Sequence, residues 1–198
     1  MIGNQSSNFL KHTTKNPVQK FLIKNFYQAL FSLVKPLNPK TILDVGCGEG
    51  FTLNEFLINN VGKKLEGVDN SHNSLSIGAE LFPNLSLKYA DIYKLPYKDN
   101  SFDLVLCLEV MEHLKEPKKA ISEIMRVSKK YTIISVPNEP FFRISNFLRG
   151  KNVKRLGNDE GHINHWNLST FKQLMQKQNL IVQNSKSPFP WVMILVEK

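Results

Sequence analysis

The chain has 198 residues, 41% of them hydrophobic and 22% charged, a balance that suits one folded domain with a buried core. Two cysteines exclude a disulfide framework, and no apolar run is long enough to cross a bilayer. The 26 basic and 17 acidic residues leave a net charge of +9, which keeps nucleic acid and other polyanions in view as partners. The polar stretch from Met1 to Lys15 lacks the apolar centre of a signal peptide, so a cytoplasmic protein is the default expectation.

Asn16-Pro17 predicts a helix start, because asparagine caps free N–H groups and proline suits the first helical turn. Phe21, Leu22, Tyr27, Leu30 and Leu33 then recur at helical spacing as far as Val34, and residues 1–36 are expected to form an N-terminal helical cap. Pro36 and Pro39 end that helix and lead into a strand at Thr41–Val45. A glycine loop and a helix from Phe51 to Asn60 follow.

The pattern then repeats, with strands at Lys64–Val68, Leu85–Ala90, Phe102–Leu108 and Tyr131–Val136 separated by helices at Ser71–Phe82 and Pro117–Val127. Alternating strands and helices imply a parallel sheet with right-handed crossovers. The end differs: after a helix at Asn167–Gln178, the strands Leu180–Asn184 and Trp191–Glu197 have only a proline-containing connection between them, which predicts an antiparallel pair. The whole chain, residues 1–198, is expected to be one domain, with residues 137–166 as an insert on the acceptor side of the sheet.

The segment Ile42-Leu43-Asp44-Val45-Gly46-Cys47-Gly48-Glu49-Gly50 runs from strand to glycine turn to helix. Its G-x-G-x-G spacing departs from the dinucleotide fingerprint G-x-G-x-x-G, whose last glycine would fall on Phe51. Asp44 would also oppose a pyrophosphate, since like charges about 4 Å apart cost on the order of 4 kcal/mol at an effective dielectric of about 20. The same carboxylate suits a ligand with an ammonium and a sulfonium, so the loop favours S-adenosylmethionine over NAD. Asp69, about 20 residues beyond the loop, can accept both ribose hydroxyls. Asp91 is placed to accept from the adenine amino group, with Ile92 against the ring. The cofactor-site candidates are therefore Asp44, Gly46, Cys47, Gly48, Gly50, Asp69, Asn70, Asp91, Ile92 and Leu108.

These motifs, together with LPYKDNSFDLVLCLEVMEHL at Leu95–Leu114, resemble the successive motifs of class I S-adenosylmethionine-dependent methyltransferases, nearest to the ubiquinone/menaquinone-biosynthesis-like, type 11 branch. The resemblance is strong from Thr41 to about Pro137. It implies a Rossmann-like fold whose seven-stranded, mostly parallel sheet ends in an antiparallel hairpin. It also implies that Gly46, Gly48 and Gly50 approach the methionine part of the cofactor, that Asp69 holds the ribose, and that Asp91 and Ile92 hold the adenine.

After strand four, a helical turn would set Glu109, Glu112 and His113 at i, i+3 and i+4 on one face, beside which Gly161-His162-Ile163-Asn164-His165-Trp166 offers two more imidazoles. E-x-x-E-H with a later H-x-x-x-W resembles the metal site of plant small-RNA 2′-O-methyltransferases, and a similar E-x-x-E-H occurs in ubiquinone-pathway O-methyltransferases. That resemblance implies Glu109, Glu112, His113 and His162 as ligands of a divalent metal (Mg, Mn or Zn), which would hold acceptor oxygens and lower a hydroxyl pKa. The competing expectation is that Glu112 and His113 only fix the loop. His113 and His165 are the candidates for catalysis, with His165 and Trp166 lining an acceptor pocket. No N/D-P-P-Y motif follows strand four, which counts against base-amine chemistry and favours an oxygen acceptor. The expected acceptor is a small or lipid-like molecule, the alternative an RNA 2′-hydroxyl. The insert, with Phe141, Phe142, Ile144, Phe147 and Leu148 among Arg143, Arg149, Lys151, Lys154 and Arg155, reads as ordinary packing with a basic rim, a lid, or a peripheral membrane-surface helix.

Overall fold

The computed structural model describes residues 7–198, so the first six residues of the expected N-terminal cap lie outside the described residues. In chain order the helices are α1 (Ser7–His12), α2 (Pro17–Val34), α3 (Phe51–Ile58), α4 (His72–Leu81), α5 (Pro117–Val127), α6 (Phe141–Leu148) and α7 (Leu168–Gln176). The strands are β1 (Thr41–Val45), β2 (Lys64–Asp69), β3 (Ser86–Tyr89), β4 (Phe102–Leu108), β5 (Ser128–Pro137), β6 (Ile181–Lys186) and β7 (Trp191–Glu197).

They form one seven-stranded sheet in the order β3-β2-β1-β4-β5-β7-β6. The first five strands in sequence pair in parallel, and β7 runs antiparallel to both β5 and β6. This is the expected Rossmann-like architecture with its terminal antiparallel hairpin. The chain leaves β1 towards β2 and β3 on one side, then returns to place β4 and β5 on the other. The crevice at that reversal, between the carboxyl ends of β1 and β4, is where open α/β sheets bind ligands.

Alternation along the central strands supplies two apolar faces. Leu43, Val45, Val105, Cys107, Ile134 and Val136 pack under α5 and α7 with Ile121, Ile124, Phe171 and Met175. Their neighbours Ile42, Leu104, Leu106 and Ile133 pack on the other face beneath α2 with Phe26, Leu30, Leu33 and Val34. Each such side chain contributes about 1.5–3 kcal/mol by leaving water. Asn16 caps α2 as its position predicts, its Oδ1 accepting from the N–H groups of Val18 (2.9 Å) and Gln19 (3.2 Å).

Three local expectations change. The polar N-terminal stretch contains α1, held by Phe9 and by His12, whose ring stacks on Phe51 at 4.5 Å. Strand β5 begins at Ser128, directly where α5 ends, rather than at Tyr131; the Ser128 hydroxyl donates to the Tyr131 carbonyl at 2.8 Å and holds that corner. The segment after β4 is a 3₁₀ turn at Met111–His113 and not an α-helix from Glu109.

Candidate active site

The glycine loop turns through three left-handed residues, with φ of 78° at Gly46, 55° at Gly48 and 86° at Gly50. Gly46 is the most constrained by its surroundings: an added Cβ would lie 2.3 Å from a Val110 methyl. The N–H groups of Gly46 and Cys47 both donate to the Val68 carbonyl, at 2.8 and 3.0 Å, fixing the loop to the end of β2. Asp69 completes the link, accepting from the Gly48 N–H on one oxygen and the Ser71 N–H on the other, both at 2.8 Å. The carboxylate therefore joins the loop to the N-cap residue of α4, and its orientation is set before any ligand arrives.

Asp44 is only 2% exposed at the end of β1. Burial and the nearby Asp69 charge push its pKa up to about 7. A cation entering beside it would relieve both effects.

A cavity of about 610 Å³ opens over this wall. Of the cofactor-site candidates, Asp44, Gly46, Cys47, Gly48, Asp69, Asn70, Ile92 and Leu108 line it. Gly50 and Asp91 do not. The space a side chain would need at Gly50 is occupied by Leu85 and Leu87, so this glycine serves the turn into α3. Asp91 is exposed and its Oδ1 accepts from the Tyr93 N–H at 2.9 Å, closing a local turn between two lining residues, Ala90 and Ile92.

The opposite wall comes from the β4 end and the insert. Glu109 adopts φ 60°, and its carboxylate turns to Ser135, whose hydroxyl donates at 2.9 Å. Because Glu109 is left-handed and the following turn is 3₁₀, the expected helical face of Glu109, Glu112 and His113 does not form. Glu112, His113 and His162 instead make the group whose potential ligand atoms lie within 4.8 Å of one another, and Glu109 stands outside it. The turn itself delivers His162: the Glu112 carbonyl accepts from the N–H groups of Ile163 and Asn164, and the Asn164 amide donates back to the carbonyls of Met111 (3.2 Å) and Leu114 (2.7 Å).

His113 Nδ1 faces the Gly161 carbonyl at 3.0 Å, to which it donates, and Nε2 is not engaged by that bond. Burial first, and then the neighbouring His113, lower the His162 pKa to about 4, so that ring is neutral at pH 7. Burial raises the pKa of both Glu109 and Glu112. Glu112 Oε2 and His162 Nδ1 are buried without a hydrogen-bond partner.

His165 does not line the cavity. The backbone at Glu139 and Trp166 pairs (Glu139 N–H to Trp166 carbonyl, 2.9 Å), and this closure leaves His165 Nδ1 3.6 Å from Glu139 instead. Sequence reasoning missed the contribution of α1. Asn8, Lys11 and His12 all line the cavity, and Asn8 donates to the buried Glu49 at 2.6 Å. Lys11 reaches towards Glu109 and Glu112, its own pKa lowered by burial, and lies 4.7 Å over the Trp191 ring. The pair Phe9-Leu10 was the available signal, but fewer than two helical turns are too short to show a period.

Residues 43–136 match the methyltransferase domain family. That match covers just under half of the chain. Over 96 aligned residues the chain is 34% identical to norajmaline N-methyltransferase of Rauvolfia serpentina, covering 46% of this chain and 32% of that protein. Over 88 residues it is 33% identical to a demethylmenaquinone methyltransferase of Renibacterium salmoninarum, covering 44% and 36%. Among solved structures, magnesium protoporphyrin IX methyltransferase of Synechocystis PCC 6803, determined with bound SAH, superposes with a TM-score of 0.68 at 16% identity, covering 98% of this chain and 95% of that one. The chain spans well under half the length of the curated relatives it matches, from 26% to 43%.

Proposed function

We propose that the chain is an S-adenosylmethionine-dependent methyltransferase that methylates a hydroxyl oxygen of a small or lipid-like acceptor with the help of a divalent metal. The observation that carries this is one cavity with two chemically distinct walls, acidic residues and a glycine turn on one side and Glu112, His113 and His162 on the other. The first wall fits the donor: Asp44 offers a buried negative charge to a cationic ligand, and Gly46 and Gly48 bring backbone without side chains to the cavity. The second fits a metal, because it combines a buried carboxylate oxygen and a ring nitrogen that have no other partner.

When bound, S-adenosylmethionine supplies a methyl group on a good leaving group, and a divalent ion supplies Lewis acidity that lowers the acceptor pKa. The chain's own residues do the rest. Asp69, locked by Gly48 and Ser71, is oriented to accept ribose hydroxyls. Glu112, His113 and His162 would hold the ion. Glu109, on the same wall and with a carboxyl that burial pushes up, is available to take the acceptor proton. Helix α1 and Phe51 cover the loop and exclude water. Alignment of two bound partners is the larger part of the catalysis, since the reaction is an in-line displacement at carbon.

The test is an assay of S-adenosylhomocysteine release with hydroxylated amphiphiles, such as prenylated phenols, as acceptors. It compares metal-stripped protein with protein given Mg, Mn or Zn. Turnover that requires an added metal supports the proposal. Turnover confined to amines, or to RNA bearing free 2′-hydroxyls, would overturn the acceptor assignment, and metal-independent turnover would overturn the role of the ion.

A further inference from the structure

We infer that the rim of the cavity docks on an anionic lipid bilayer, with α1–α2 as one contact wall and the α6 segment as the other. The first observation is charge. Residues 1–24 and 141–157, the stretches of sequence around the rim helices, together hold nine of the 26 basic residues and none of the 17 acidic ones, with Lys151 and Arg155 paired to Asp159 and Glu160 just beyond. The remainder of the chain has equal numbers of basic and acidic residues, so the positive excess belongs to these two segments.

The second observation is exposure of apolar side chains on the same two segments. On α6 and the turn after it, Phe141, Ile144, Leu148 and Leu156 are 52%, 50%, 78% and 66% exposed. On α1 and α2, Leu10, Val18 and Phe21 are 54%, 59% and 61% exposed. The third is position. Each exposed set is interleaved with residues that line the cavity, Phe142, Asn146 and Arg149 in one case and Lys11, Gln19 and Leu22 in the other. Both walls of the opening thus present apolar side chains outward among cations.

That combination is the signature of a segment lying in a membrane interface, where apolar side chains enter the acyl boundary and Lys and Arg meet anionic headgroups. Nucleic acid would satisfy the charge. It would not repay exposing aliphatic residues such as Leu10, Val18, Ile144 and Leu148, which neither stack on bases nor bind phosphate. Among the described residues no helix is long and apolar enough to cross a membrane, so the contact is peripheral. Docking in this orientation turns the cavity mouth to the bilayer, and the acceptor would be an amphiphile taken from it. That last step rests on the methyltransferase function proposed above.

The experiment is co-sedimentation of the full chain with vesicles of phosphatidylcholine alone and of phosphatidylcholine with one third phosphatidylglycerol, alongside calorimetry with S-adenosylhomocysteine. The wild type is expected to bind the anionic vesicles and to dissociate as salt rises. The variant Phe141→Ser, Ile144→Ser, Leu148→Ser should lose at least about tenfold in partitioning, and Lys154→Glu with Arg155→Glu a similar factor, with S-adenosylhomocysteine affinity unchanged in both. No binding to anionic vesicles, binding that neither variant weakens, or salt-dependent binding to short single-stranded RNA with vesicles ignored would overturn the inference. Vesicle binding without a response to S-adenosylhomocysteine would leave the surface standing and remove the proposed function; the opposite result would do the reverse.

Discussion

The two walls of the cavity are built on different principles. The donor wall is finished by its own backbone: Gly46 and Cys47 bond to Val68, and Asp69 is satisfied by Gly48 and Ser71. The acceptor wall is assembled from side chains on a 3₁₀ turn and a long insert, and it leaves Glu112 Oε2 and His162 Nδ1 buried without partners. Leaving such groups unsatisfied costs about 1–3 kcal/mol each, which a bound ion or acceptor would offset. The donor wall is thus preorganised for one ligand, and the acceptor wall is completed by whatever it binds.

The contrast breaks most visibly at Gly157. A Cβ there would lie 1.9 Å from the Arg143 carbonyl oxygen, and φ is 79°. Gly157→Ala should displace the insert and lower turnover at least about a hundredfold, because small misplacements near reacting groups carry that cost. S-adenosylhomocysteine affinity, measured by calorimetry, should stay within about threefold. A parallel loss of both would show that the walls are not independent.

Next in size are the proposed ligands. Glu112→Gln and His162→Ala should each reduce divalent-ion affinity at least about tenfold, read as metal content after dialysis, again without loss of S-adenosylhomocysteine binding. Unchanged metal content would remove the ion from the account.

A smaller effect sharpens the donor side. Asp44 has a folded-state pKa of about 7, above its usual value of 3.8. Between those values the folded state holds a proton that the unfolded state has released, so this group makes stability fall as pH rises, by about 1.4 kcal/mol per pH unit. Asp44→Asn removes that dependence. Its melting temperature relative to wild type should therefore climb from pH 4 to pH 7 and level off above. The smallest effect belongs to His165, which stands outside the cavity beside Glu139; His165→Ala should change turnover by no more than about twofold.

The same division explains what could be read from the sequence. Apolar runs, the capping Asn16 and glycine spacing are local signals, and they are enough to read the parallel core, the hairpin and the glycine turn with Asp44 and Asp69 beside it. The acceptor wall depends on tertiary contacts that leave no local trace. Glu109 is left-handed and turned to Ser135, 26 residues away, which a helical reading of E-x-x-E-H does not anticipate. His162 reaches the site because Asn164 bonds to the Met111 and Leu114 carbonyls. His165 is led away by the backbone pairing of Glu139 with Trp166. Asp91 was assigned by its place at a strand end, yet its carboxylate serves a turn to Tyr93. The six-residue α1 carries no periodicity and was missed, although it supplies Asn8 and Lys11 to the cavity.

The most direct test is calorimetric titration of S-adenosylhomocysteine into the wild type and Asp69→Ala, with NADH as the control ligand. The account predicts saturable binding to the wild type, at least about a tenfold loss in the variant, and no heat from NADH. Binding of NADH in place of S-adenosylhomocysteine, or equal affinity in both proteins, would contradict it.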